Sequence, residues 1–167
     1  HEVQLKFRLR GATLHLAMKL LDRFLESEQI KRSKLQLVGV AALWIAEKYV
    51  RVYGRGGREE CACQEYVYIC DKAYSEEEIT LMESRMLNFF SSVDFPFSTP
   101  TALSTLEWLV RRLSFPPGSK AELFANYLVD LTLQAQPQSG VFASRFSAGG
   151  QLARTFTQFE LPVAGVR

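Results

Sequence analysis

The chain has 167 residues, 47% of them hydrophobic and 12% aromatic, with a formal net charge of +2. That composition describes an ordered globular protein of one domain or two small ones, with ample apolar material for a core. A charge so near zero argues against a dedicated nucleic-acid binder, and no apolar run approaches the roughly 18–20 residues of a membrane span. Cys61, Cys63 and Cys70 are odd in number and clustered, which fits a reducing compartment rather than a disulfide scaffold. The chain opens on His1 without a signal-peptide pattern and reads as a fragment of a longer protein.

Helical periodicity dominates. Residues 12–26 set Leu14, Ala17, Leu20, Leu21, Phe24 and Leu25 on one face, with Lys19, Asp22 and Arg23 mostly opposite. Residues 33–49 are more densely apolar and predict a helix at the centre of a bundle, with Ser33 as its N-cap. The glycine- and charge-rich stretch 51–64 reads as a loop. Residues 65–74 (EYVYICDKAY) are rich in Tyr, Val and Ile and predict a short strand. Residues 75–90 predict a helix opened by a Ser75–Glu78 capping box, with Ile79, Met82, Met86 and Phe89 on one face.

A proline-bearing connector follows, and Thr99–Pro100 suits an N-cap and first helical position. Residues 101–114 form the next amphipathic pattern. Ser119 and Glu122 suit a capping box that opens 120–135. A weaker helical signal runs over 141–157, interrupted by Gly149 and Gly150. The fold class is therefore all-α, in two helical groups joined by a linker.

Little in the chain provides for catalysis. No GxGxxG, P-loop, HExxH or GxSxG motif occurs, and His1 and His15 are the two histidines. His15 lies within an amphipathic helix and reads as structural. Cys61, Cys63 and Cys70 lack a fourth ligand at zinc-site spacing, so neither a metal nor a cofactor is expected. Arg51, Arg55 and Arg58 among glycines read as a solvated insertion rather than an RNA contact.

Two charges stand out at the edges of apolar faces. Lys48 ends the ridge Leu37, Ala41, Trp44, and Glu83 is half-turned toward the face of Ile79 and Met86. A buried ion is costly unless paired. The two could pair with each other, Lys48 could snorkel to solvent, or both could face a partner. Spacing alone leaves these readings level.

The segments LLDRFL (20–25), KLQLVGVAAL (34–43), EKY (47–49), YVYICDKAY (66–74) and MES (82–84) resemble, in that order, the cyclin box of mitotic A/B-type cyclins. The resemblance covers about residues 5–101. It implies a five-helix box over 1–94 with its first helix ahead of the chain, a linker at 95–100, and a partial, divergent second repeat over 101–167.

It also implies that Lys48 and Glu83 bind backbone groups beside the αC helix of a cyclin-dependent serine/threonine kinase. The function it implies is activation of that kinase in cell-cycle control, in the nucleus or cytoplasm, with no catalytic group from this chain. Leu37 matches a core leucine, and Asp22 an aspartate that pairs with an arginine of the first helix. Leu35 and Gln36 match part of a hydrophobic patch that docks substrates or inhibitors, although a helix start resting on the core explains them equally well.

Three departures from the pattern are visible. The first helix is absent; Val50 and Arg51 stand where acids are usual and the 51–64 insertion lengthens the Lys48–Glu83 spacing; and the second repeat is faint, with Gly149 and Gly150 where a buried helix is expected. They keep two alternatives open: an adaptor of the same fold that no longer activates a kinase, and a transcription factor of the TFIIB type, which the near-neutral charge disfavours.

Overall fold

The computed structural model describes residues 7–53, 63–93 and 100–133, together with Val3 and Phe97. Among them it contains six α-helices and no strand: α1 (Gly11–Ser27), α2 (Leu35–Tyr53), α3 (Cys63–Ile69), α4 (Glu76–Val93), α5 (Ala102–Arg112) and α6 (Lys120–Thr132). A 3₁₀ turn at Arg32–Lys34 leads into α2. The all-α class holds. The expected helix over 141–157 and the thiol of Cys61 lie outside the described residues.

α2 is the central element, packed between α1 and α4, with α3 touching both α2 and α4. Its composition explains the position. Val38, Ala41, Ala42, Ile45 and Ala46 are all buried, and the alanines keep its girth small enough for neighbours on several sides. α1 contributes Leu16, Ala17, Leu20 and Phe24, and α4 contributes Ile79, Met82, Met86 and Phe90. Tyr66, Cys70 and Phe97 close the same cluster.

α5 and α6 pack on each other, and α5 rests against α1. A glycine marks that approach: a Cβ on Gly11 would meet the Leu103 Cδ2 at 3.1 Å. Two polar contacts fasten α1 to its neighbours. Thr13 donates its hydroxyl to the Glu47 carboxylate at 2.8 Å, and the buried His15 places Nε2 3.0 Å from an Asp130 oxygen on α6.

Where the residues differ from expectation, local physics gives the reason. Residues 63–69 are helical, not extended. Alternation would put Tyr66, Tyr68 and Cys70 on one face, yet Tyr66 and Cys70 are buried while Tyr68 is 58% exposed. The i, i+4 spacing of the buried pair is the signal, and packing overrides β-propensity. The helix stops because Asp71 and Lys72 both take left-handed backbone, closing bonds from their N–H groups to Tyr68 and Val67 carbonyls.

Ser33 is not an N-cap but lies inside the 3₁₀ turn, where its carbonyl accepts from the Tyr74 hydroxyl. α2 runs on to Tyr53, into the stretch expected as loop. The N-cap of α5 is Thr101, not Thr99: Thr101 accepts from the Ser104 N–H and Ser104 returns the bond. At α6, Ser119 caps as expected, but the Glu122 carboxylate accepts from the Gly118 N–H rather than from Ser119. The Ser75–Glu78 box of α4 forms as expected, with both bonds present.

Candidate functional site

The packing of α2 against α4 decides what Lys48 and Glu83 do. Glu83 follows Ile79 and Met82 on the buried stripe of α4, so it is carried to the edge of the core and is only 9% exposed. Lys48 lies one turn beyond Trp44 on α2. Its ammonium group donates to Glu83 Oε1 at 2.7 Å and Oε2 at 2.9 Å. The Trp44 indole N–H donates to Glu83 Oε2 at 2.9 Å, and the same indole ring lies under the Lys48 ammonium, 4.1 Å from Nζ to the ring centre.

The pair is therefore mutual, as one of the three open readings had it, but it is not sealed. The Lys48 side chain retains 40% of its exposure against 11% for Glu83. A carboxylate offers about four acceptor positions and an ammonium three donors. Three hydrogen bonds, two from Lys48 and one from Trp44, already engage the carboxylate, so the more exposed member of the pair is the lysine. An ammonium group with two N–H groups on the carboxylate has one left to offer an oxygen acceptor, and a carboxylate engaged by three hydrogen bonds is poorly placed to act as a general base.

Cys63, at the start of α3, belongs to the same neighbourhood. Burial pushes its thiol up, the Glu76 carboxylate adds to the effect, and Lys48 and a hydrogen bond with Thr80 oppose it without reversing it. The thiol is thus protonated at neutral pH and a poor nucleophile. Among the described residues no group of three or more His, Cys, Asp or Glu side chains could hold a metal ion. No described helix is long and apolar enough to cross a membrane.

The sequence carries the signature of a known family. The model described as "Cyclin, N-terminal domain" matches residues 1–92. The chain belongs to the cyclin family. It is 40% identical over 134 residues to a G2/mitotic-specific cyclin-B of Hydra viridissima, covering 79% of this chain and 31% of that protein. It is 34% identical over 139 residues to Cyclin-A2-4 of Arabidopsis thaliana, covering 81% of this chain and 28% of that one. The chain spans about a third or less of the length of these relatives.

The other residues singled out in this cyclin are dispersed. Leu37 is buried in the α2 core at 3% exposure. Leu35 and Gln36 are exposed at the opening of α2, 13 and 12 residues before Lys48, or about 18–20 Å along the helix axis. They form no common site with the Lys48–Glu83 pair. Leu35 is 39% exposed, so the larger part of the residue is covered at the helix start.

Asp22, expected as a structural residue of the box, lies on the exposed side of α1 and makes no hydrogen bond or ion pair among the described residues. Partial burial removes water from the carboxyl, and with Glu26 one turn on this holds Asp22 above the usual carboxylate range. Its ionisation therefore opposes folding: the penalty is absent below the unfolded pKa of about 4 and complete above the raised folded value. Asp22→Asn is expected to stabilise the chain at pH 7 by only a few tenths of a kcal/mol, because the group is solvent-screened. The gain should vanish at pH 3; urea unfolding at the two pH values measures it, and a loss at pH 7 would contradict the assignment.

Two participants escaped the sequence reading. Trp44 stands in the apolar ridge of α2, and its i, i+4 spacing to Lys48 and the need of a half-buried indole N–H for an acceptor are the signals of its second part. Glu47 belongs to the EKY segment, but its partner is not legible in the sequence, because Thr13 comes from a helix 34 residues away.

Proposed function

We propose that this cyclin chain belongs to the kinase-facing part of a regulatory subunit that binds and activates a cyclin-dependent serine/threonine kinase, in the nucleus or cytoplasm, in control of the cell cycle. The observation that carries the reading is the Lys48–Glu83 pair: two charges ordered at the rim of the core, with the lysine side chain still partly exposed. The A- and B-type names of the relatives point the same way.

The mechanism is docking. An active kinase needs its αC glutamate paired with its β3 lysine, and αC position controls that pairing. A rigid surface that holds only the inward αC position shifts the kinase toward it, by no more than its differential affinity for the two states. No catalytic group from the cyclin is required. In this reading residues 1–94 are the box, 95–100 the linker and 101–167 part of a second repeat; the end of α4 at Val93 and the start of α5 at Ala102 are consistent with that division. Leu35 and Gln36 are a separate, exposed contact for substrates or inhibitors.

The test is a binding and activation assay of the chain against a panel of purified cyclin-dependent kinases with a peptide substrate. Stimulated phosphorylation supports the reading. Binding without stimulation would replace it with the adaptor reading, and no binding to any member would remove it.

A further inference from the structure

Trp44 touches both charges of the pair in different ways. It gives Glu83 Oε2 a hydrogen bond at 2.9 Å and supports the Lys48 ammonium on its ring face at 4.1 Å. The indole is itself anchored from behind, edge to face with the fully buried Tyr66, at 4.9 Å between ring centres and 63° between planes. We infer that Trp44 is a positioning residue, which fixes the Lys48 and Glu83 side chains in one joint rotamer before any partner arrives. The inference rests on the reading of that pair as the docking contact.

The physical case is one of ordering cost. A lysine that keeps 40% of its exposure would ordinarily sample many rotamers. A surface side chain immobilised on binding charges its entropy against affinity. Here the cation–π contact and the bidentate carboxylate hold the ammonium in place beforehand. The carboxylate cannot turn away to follow water, because the indole N–H holds one of its oxygens. Tyr66 transmits the rigidity of the core to all three groups.

Phenylalanine at this position removes the N–H and keeps a ring, and leucine removes both. Trp44→Phe is expected to weaken kinase binding about 3- to 10-fold, the equivalent of ordering one long side chain, and Trp44→Leu more. In a double-mutant cycle, Trp44→Phe added to Glu83→Gln should cost less than it does alone, since the hydrogen bond is already compromised.

A second readout needs no kinase. The chain has two tryptophans, Trp44 and Trp108, and Trp108 is 60% exposed. In the free chain the Trp44 indole N–H resonance should exchange slowly with water and shift on Glu83→Gln, while that of Trp108 does neither. Equal, rapid exchange of both, or a Trp44 signal indifferent to Glu83→Gln, would overturn the inference. If the wild-type chain binds a kinase and Trp44→Phe, folded by circular dichroism, binds it equally well, the inference falls and the docking reading stands. If the resonance behaves as expected but no kinase binds, the docking reading falls and takes the positioning role with it, leaving only a rigid structural cluster.

Discussion

Glu83→Ala is expected to reduce kinase affinity by about 30-fold or more, because truncating one member of a hydrogen-bonded charge pair at an interface typically costs at least about 2 kcal/mol. Glu83 accepts from both Lys48 and Trp44, so its loss frees the whole arrangement rather than one contact. The fold should suffer less. Lys48 is half-exposed and can turn to water once its partner is gone. Lys48→Ala differs in that respect: it leaves a carboxylate of 11% exposure with the indole N–H alone, and should lower stability as well as binding. Calorimetric titration of a responsive kinase, paired with urea unfolding, separates the two effects. The Lys48→Ala/Glu83→Ala double variant should bind no worse than the poorer single variant, as expected of residues acting as a unit. Binding within about twofold of wild type in both single variants would end the claim that the pair makes the contact.

The parts of this arrangement differ in how far sequence could reveal them. The capping box of α4 and the apolar stripe of Ile79, Met82 and Met86 are local facts, determined by spacing within one helix, and the structure reproduces them. The same is true of α1, whose ends fall within one residue of the expected 12–26. Failures arose where a neighbour decides. β-rich composition suggested a strand at 65–74, but burial of Tyr66 and Cys70 against α2 and α4 selects a helix of seven residues. Proline chemistry suggested that a helix begins at Thr99–Pro100, whereas the reciprocal Thr101–Ser104 bonds move the start two residues on. The meeting of Lys48 with Glu83 spans 35 residues and an insertion. Helical spacing puts each at the edge of its own apolar face; only the packing of α2 on α4 shows that the two edges coincide. Family resemblance singled out both residues, yet gave no hint of Trp44, whose part depends on the identity of that one side chain in this chain.

Phe24→Ala should produce the largest loss of stability of any substitution considered, about 3–5 kcal/mol. The ring is fully buried, lies edge to face with Phe89 at 5.4 Å and Phe90 at 6.4 Å, and has the Arg85 guanidinium 5.9 Å from its centre. Its removal leaves a cavity between α1 and α4 and deletes two aromatic contacts at once. Small domains have only about 5–15 kcal/mol in total, so the variant should be close to unfolding at 37 °C. Urea denaturation at 10 °C, with the slope compared to wild type, tests this directly. A loss below about 1 kcal/mol would mean that α4 is not held by this ring. The contrast with Glu83→Ala is then informative. At a temperature where both variants remain folded, Phe24→Ala should bind kinase nearly as well as wild type, since it alters no group at the α2–α4 rim, whereas Glu83→Ala should not. A Phe24→Ala variant that is folded but binds as poorly as Glu83→Ala would show that the docking geometry depends on the seating of the whole of α4 on α1, and that the rim cluster of Trp44, Lys48 and Glu83 cannot hold its shape unaided.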